Sequence, residues 1–214
     1  MRLLLASLIL LIPLGYAYYL LPGLPDQIPT HFGIDGKPDA WGGKNSIFLA
    51  PGILGGVGFF LFNLFQNLGK VDPKFKETPE NTSIFKSLSY GITAFLSILA
   101  LLIVESTANT DFHFEYYIFS FIGLSFALFG KYMGKLKPNY FAGFRLPWTL
   151  EDPANWKYTH ETAGTYWFYC GLLQTVFCAI LPTKWSFLFF MSNLMVQIFV
   201  PIIFSYNFYR KNKN

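Results

Sequence analysis

Apolar residues run through the chain in six long stretches, separated by loops that carry nearly all of the charge. A helix needs about 20 predominantly apolar residues to cross the hydrocarbon core of a bilayer. The pattern therefore predicts an all-α membrane protein with six transmembrane helices. They lie at residues 3–21, 47–68, 88–104, 116–133, 165–181 and 185–206.

The composition favours the same class. Charged residues make up only 13% of the chain, whereas hydrophobic residues make up 53% and aromatic residues 20%. Soluble domains carry about 25% charged residues, so this chain lacks the polar surface that a globule in water needs. Its aromatic content also excludes a disordered chain.

The basic residues predict the orientation in the membrane. If the N-terminus is cytoplasmic, 13 of the 16 lysines and arginines fall on the inner side and 3 on the outer side. Cytoplasmic loops carry such an excess, so both termini are predicted to be cytoplasmic. The net charge of +4 follows from this bias, and direct nucleic acid binding is not expected. The first stretch could instead be a cleaved signal peptide, but its apolar run is longer than is usual for one.

Polar residues well inside the predicted spans are uncharged, namely Asn63, Gln174, Asn193 and Gln197. Asn193 and Gln197 share a helix face, which predicts hydrogen bonds between helices, with a transport path as the alternative. Gly52 and Gly56 form a GxxxG motif, which predicts close packing of the second span. Pro201 predicts a kink in the last span.

The outer loop after the first span, residues 24–44, predicts a compact extracellular structure. Its three prolines forbid a continuous helix, and Asp35-Gly36 is a strong signal for a hairpin turn. The hairpin would bind a ligand or act only as a lid. His31 could ligate a metal with Asp35, Asp39, His113 or Glu115, but this spacing matches no metal signature, so no metal or cofactor is predicted.

The inner loop before the fifth span, residues 139–164, predicts a cytoplasmic interfacial helix. Thr149 followed three residues later by Asp152 resembles a capping box, which marks a helix start. Trp156, His160 and Ala163 then share one face, which could lie on the inner membrane surface or under the bundle. The alternative is a docking surface for a partner, built from Arg145, Trp148, Trp156 and His160.

Two motifs in these loops together resemble a known family. The outer loop reads Leu-Pro-x-x-Ile-Pro-x-His-Phe at residues 24–32 and Gly-x-Pro-Asp-x-Trp at residues 36–41. The inner loop reads Gly-x-Arg-x-Pro-Trp-Thr-Leu at residues 143–150, followed by Trp156, Thr159-His160 and Gly164. In this order, on a chain with several spans, they resemble the SdpI family of bacterial immunity proteins and its N-terminal domain of unknown function. Leu146 departs from the threonine usual in the family.

This resemblance implies a non-enzymatic, multi-pass protein of the bacterial cytoplasmic (inner) membrane that protects its host from a secreted, membrane-active peptide toxin. It also implies a receptor that holds a cytosolic transcriptional repressor at the membrane. The toxin-facing candidates are Pro25, Ile28, Pro29, His31, Phe32, Asp35, Gly36 and Trp41. The partner-facing or structural candidates are Gly143, Arg145, Pro147, Trp148, Thr149, Trp156, Thr159, His160 and Gly164.

Other classes of protein stay open on the sequence. A small transporter or exporter of an amphiphile would need a polar path, and an accessory subunit of a larger membrane complex needs no site of its own. An enzyme with His31 or His160 as its base would lack any recognisable nucleophile motif. We divide the chain into residues 1–46, with the first span and outer motif, residues 47–138, with spans two to four, and residues 139–214, with the inner motif and last two spans.

Overall fold

The computed structural model describes residues 2–33, 37–109, 111–112 and 114–213, and these residues are mostly helical. Two antiparallel strands follow the first helix. The first elements are α1 (Arg2–Leu20), β1 (Gln27–Phe32), β2 (Pro38–Gly43), α2 (Leu49–Gln66) and α3 (Leu68–Val71). The later elements are α4 (Pro79–Ala108), α5 (Phe114–Met133), α6 (Pro147–Glu151), α7 (Pro153–Ile180) and α8 (Thr183–Lys213).

Four of the predicted spans lie in helices long and apolar enough to cross a membrane. Within the described residues these are Arg2–Gly23, Lys44–Gln66, Pro79–Ala108 and Thr183–Lys213. Much of their apolar surface faces outward, as with Leu4 at 64% and Ile53 at 65% exposure, which suits lipid and not water. The other two predicted spans lie in α5, whose apolar part Tyr117–Met133 is shorter, and in α7.

The chain forms two compact units, one of Met1–Gln66 with Ser87–Ile118 and one of Asn67–Lys86 with Phe119–Asn214. In the first unit, side-chain hydrogen bonds join α1 to α4. Tyr16 Oη donates to Glu105 Oε2 at 2.5 Å, and Ser97 Oγ donates to the Ile9 carbonyl at 2.8 Å. Through these bonds the polar side chains of Tyr16, Ser97 and Glu105 find partners inside the protein and need none in the lipid.

The GxxxG motif of α2 does not mediate close packing. A Cβ atom added at Gly52 or Gly56 would meet nothing within 4 Å among the described residues, whereas one at Gly58 would lie 2.7 Å from a methyl carbon of Leu10. The predicted role of this motif is therefore wrong. The sequence showed the four-residue spacing but not which face of the helix meets α1.

The close helix contact of the second unit lies instead between α5 and α7. A Cβ at Gly130 would lie 2.8 Å from the Gly164 carbonyl oxygen, and one at Gly123 would lie 2.9 Å from the Gly171 carbonyl oxygen. These glycines recur at seven-residue spacing on both helices, so the two backbones touch along two turns. A side chain larger than the hydrogen atom of glycine would collide with the neighbouring backbone at these positions.

Helix α7 also contacts α8 through polar groups. Asn193 Nδ2 donates to Gln174 Oε1 at 2.8 Å and to the Cys170 carbonyl at 3.1 Å, as expected for a bond between helices. Pro201 has no amide hydrogen, so the carbonyl of Gln197, four residues earlier, loses its helical donor. Trp167 Nε1 on α7 donates to that carbonyl at 3.1 Å.

The predicted interfacial helix is not a separate element. Helix α7 runs without interruption from Pro153 to Ile180, because no helix-breaking residue separates the inner motif from the predicted fifth span. Its N-cap is Asp152, whose side chain accepts a hydrogen bond from the Ala154 amide at 2.8 Å. The predicted start at Thr149 is wrong, because Thr149 belongs to the preceding short helix α6.

Candidate functional site

The outer motif forms a hairpin that is anchored to the helices by buried Ile28. Strands β1 and β2 pair antiparallel, with Ile28 opposite Gly42 and Pro29 opposite Trp41. Ile28 is only 1% exposed and lies in a cluster with Ala17 of α1 and Val104 of α4. The hairpin is therefore attached to the ends of these two helices by an apolar contact. The turn residues Asp35 and Gly36 lie outside the described residues.

The polar and aromatic side chains of this motif lie at its surface. His31 Nδ1 is 2.5 Å from Asp39 Oδ1, with the two side chains 70% and 53% exposed. The carboxylate can only accept, so the imidazole donates along this bond. Trp41 is 56% exposed, and Pro25 is also exposed, whereas Pro29 is buried and Phe32 is half-buried.

A surface of this kind can bind a partner but holds no recognisable metal set. Among the described residues no group of three or more His, Cys, Asp or Glu side chains lies close enough to bind a metal ion. Asp39 is the predicted partner of His31 whose side chain the structure describes, and it contacts the imidazole. Asp35 and His113 and the side chain of Glu115 lie outside the described residues.

The inner motif, in contrast, surrounds a buried histidine. His160 is completely buried, and its Nε2 accepts a hydrogen bond from the Phe144 amide at 2.9 Å. An amide can only donate, so Nε2 carries no proton, and Nδ1 donates to the Trp156 carbonyl at 2.7 Å. Burial lowers the pKa of His160 to about 4. The histidine is thus a neutral connector between a loop and a helix.

Gly143 makes this contact possible. Its φ of +98° is the one positive φ among the described residues, and glycine adopts that conformation without strain. A Cβ at Gly143 would overlap with His160 Nε2. The glycine lets the loop turn and approach the imidazole closely enough for the Phe144 amide to bond to it.

Trp156 fixes the ring from the other side. Its indole stacks on the imidazole with 4.0 Å between ring centroids and 18° between planes. Trp156 Nε1 donates to the Leu136 carbonyl at 2.7 Å, so this 1% exposed side chain joins α7 to the segment that follows α5. Both aromatic groups of the predicted face are therefore internal.

A second buried network joins the inner motif to α8 at Ser205. Trp148 Nε1 and Thr159 Oγ1 donate to Ser205 Oγ at 2.9 and 2.7 Å. Ser205 Oγ donates in turn to Asn155 Oδ1 at 2.8 Å, and Asn155 Nδ2 donates to the Ser205 carbonyl at 3.1 Å. Asn155, Thr159 and Ser205 are all fully buried.

Sequence reasoning missed Asn155 and Ser205. Asn155 and Thr159 are four residues apart, which places them on one helix face, and that spacing was a usable signal. Ser205 lies 46 residues from Thr159, and an isolated serine in an apolar helix offers no signal of its own.

The remaining residues of the inner motif are divided between its surface and its interior. Arg145 is exposed and donates to the Tyr140 carbonyl at 2.7 Å, and Pro147 is exposed at the start of α6. Thr149 is buried, and its hydroxyl accepts a bond from the Leu146 amide at 3.0 Å. Gly164 is the residue that contacts Gly130 of α5. The motif thus consists of a buried framework with an exposed rim.

The long apolar helices define the class, a multi-pass membrane protein. Residues 8–55 match a domain of unknown function, DUF1648, and residues 135–205 match the SdpI/YfhL protein family. The chain is 26% identical to the immunity protein SdpI of Bacillus subtilis over 193 residues, which cover 88% of this chain and 86% of that protein. No solved structure matches the chain significantly. These comparisons confirm the resemblance to the SdpI family.

Proposed function

We propose that this chain is an integral membrane immunity protein that gives resistance to a secreted, membrane-active peptide toxin. The similarity to an immunity protein along 88% of the chain supports this role, and it favours a non-enzymatic one. The observation that carries the proposal is the exposed surface of His31, Asp39 and Trp41 on a hairpin fastened by buried Ile28.

In the proposed topology the chain crosses the membrane six times. The fourth crossing lies in α5 and the fifth in the part of α7 at residues 165–181, and both termini are cytoplasmic. The distribution of 13 basic residues on the inner side against 3 on the outer side supports this orientation. The hairpin then faces outward, where a secreted peptide arrives.

Toxin binding at the hairpin would use its exposed aromatic and charged side chains. Trp41 provides a large apolar surface at low entropic cost, and tryptophan is enriched among residues that dominate binding energy. The exposed Asp26, paired with Lys44 at 3.6 Å, and Asp39 provide acidic groups near it. These features favour a peptide with apolar and basic residues.

A receptor role towards a cytosolic repressor is the second part of the proposal. Trp156 and His160 are buried, so a repressor would contact the exposed Arg145 and Pro147. The buried network would then connect that rim to α8.

The test is protection of toxin-sensitive bacteria that express this chain, challenged with a panel of secreted membrane-active peptides. We expect survival with the native chain against at least one peptide, and loss of survival with His31→Ala combined with Trp41→Ala. Trp185→Ala, which removes another exposed tryptophan, is the matched control and should protect. Unchanged killing by every peptide, with the protein present in the membrane, would refute the proposal.

One observation favours a transporter of an amphiphile as the second candidate. Gln197 is fully buried, and neither polar atom of its side chain has a hydrogen-bond partner among the described residues. Such a group inside a bundle can mark a polar path. Efflux of an amphiphilic dye that is lost in Gln197→Leu and kept in Ser192→Ala would support transport. Efflux that survives Gln197→Leu would exclude this path.

A further inference from the structure

An open cavity of about 500 Å³ lies between α5 and α7 and borders the inner motif at Gly164. Its floor is formed by glycines, because Gly130 and Gly164 bring the two backbones into contact. Its walls are formed by longer side chains: Lys131 of α5 and Glu161, Thr165, Phe168 and Tyr169 of α7. This volume is in the range of small-molecule sites.

Opposite charges stand on the two walls of this cavity. Lys131 Nζ lies 5.3 Å from the centre of the Phe168 ring, and this contact holds the ammonium group over the cavity. Glu161 Oε1 lies 3.9 Å from Lys157 Nζ, one turn earlier on the same helix, and the Glu161 side chain is 55% exposed. Within the described chain, no ion pair joins Lys131 to Glu161, so both can meet a ligand placed between them.

We propose that this cavity binds the headgroup of a zwitterionic aminophospholipid, such as phosphatidylethanolamine. Lys131 would bind the phosphate, and Glu161 would bind the primary ammonium. Phe168 and the 61% exposed Tyr169 provide apolar surface for the glycerol and the start of the acyl chains. The proposal rests on the bilayer location of α5 and α7, and it does not depend on which side the toxin arrives from.

Charge complementarity selects this ligand over other lipids. An anionic headgroup, such as phosphatidylglycerol, would satisfy Lys131 but would meet the carboxylate of Glu161. A choline headgroup has the charge for Glu161 but cannot donate a hydrogen bond to it. A headgroup with a primary ammonium next to a phosphate can pair with Glu161 and Lys131 at the same time.

The experiment is native mass spectrometry of the full chain, purified in detergent and exchanged with phosphatidylethanolamine, phosphatidylglycerol or phosphatidylcholine. We expect phosphatidylethanolamine to be retained best. Lys131→Gln should reduce retention of all three lipids by about fivefold, as expected for one lysine at a lipid headgroup. Glu161→Gln should reduce retention of phosphatidylethanolamine alone and abolish the preference.

Two controls keep the result interpretable. Lys76→Gln and Glu151→Gln remove one charge of each sign away from the cavity and should leave lipid retention unchanged. Equal retention of the three lipids by the native chain, or an unchanged preference in Glu161→Gln, would overturn the proposal. If a second copy of the chain fills the cavity, the native chain would appear as a dimer and Lys131→Gln would dissociate it. That result would also overturn the lipid proposal. Toxin protection is measured separately on the same variants, so that a failure of lipid binding can be distinguished from a failure of the proposed immunity function.

Discussion

The outer and inner motifs use their polar residues in opposite ways. In the hairpin, the apolar residues Ile28 and Pro29 are buried, and the polar pair of His31 and Asp39 is exposed. In the inner motif, His160 and Thr159 are buried, and all their polar atoms are used in hydrogen bonds. The difference supports the proposal that the hairpin contacts another molecule, whereas the hydrogen bonds of the inner motif make it mainly a structural joint.

The largest effect is expected from Gly143→Ala. A side chain at this positive φ costs about 1–2 kcal/mol, and overlap with the fixed imidazole of His160 adds about 1–3 kcal/mol. We expect the free energy of unfolding to fall by about 4 kcal/mol. Gly43→Ala is the control, because a Cβ at Gly43 meets nothing within 4 Å. Thermal unfolding in detergent measures both, and equal melting temperatures would contradict the proposed joint.

The next effect is a loss of stability in acid. The pKa of His160 is about 4 in the folded protein and about 6.5 in the unfolded chain, so between these values the unfolded chain binds more protons. Stability is therefore complete above pH 6.5 and falls as the pH drops towards 4, by about 3 kcal/mol in total. The groups that contact the imidazole, from Phe144 and Trp156, do not titrate in this range.

Denaturant unfolding at several pH values between 4 and 7 measures this dependence. His31→Gln should keep the full loss in acid, because it leaves the buried imidazole of His160 in place. His160→Gln should be less stable at pH 7 but should lack the dependence between pH 4 and 6.5. The same dependence in both variants would show that another group causes it.

Much of the fold could be predicted from the sequence, because lipid imposes a length and a composition that apolar runs display directly. The hairpin was also predictable from its prolines and the Asp35-Gly36 turn. The periodicity of Trp156, His160 and Ala163 correctly predicted a shared face. It could not show that this face meets protein and not the membrane surface, since both environments accept aromatic residues.

The contacts that complete the inner motif could not be predicted from the sequence, because they join residues that are far apart in the chain. Ser205 accepts bonds from Trp148 and Thr159, which precede it by 57 and 46 residues. Nothing in the local sequence encodes such a distant pairing. The glycines of α5 and α7 were similarly missed, because a seven-residue spacing on two separate helices indicates contact only once the helices are known to be neighbours.

A moderate effect is expected from Ser205→Ala. This change leaves the side chains of Trp148, Asn155 and Thr159 short of a partner inside the protein. A buried polar group left unsatisfied costs about 1–3 kcal/mol, so we expect a loss of about 2 kcal/mol. Ser192→Ala is the matched control on the same helix, since Ser192 is exposed and, among the described residues, its hydroxyl bonds to the Phe189 carbonyl three residues earlier. Equal stability of the two variants would mean that the network does not hold α8.

The smallest effect sharpens the comparison most, because it makes one chemical change in both regions. Trp156→Phe removes the indole donor of a buried side chain and leaves the Leu136 carbonyl unpaired, which we expect to cost about 1.5 kcal/mol. Trp41→Phe alters an exposed side chain and should change the free energy of unfolding by less than about 0.5 kcal/mol. Toxin protection should show the opposite order, with Trp41→Phe weakened and Trp156→Phe reduced only as far as its membrane level falls. If Trp41→Phe destabilises the protein as much as Trp156→Phe does, the hairpin is a structural element like the inner motif, and the toxin must be met elsewhere.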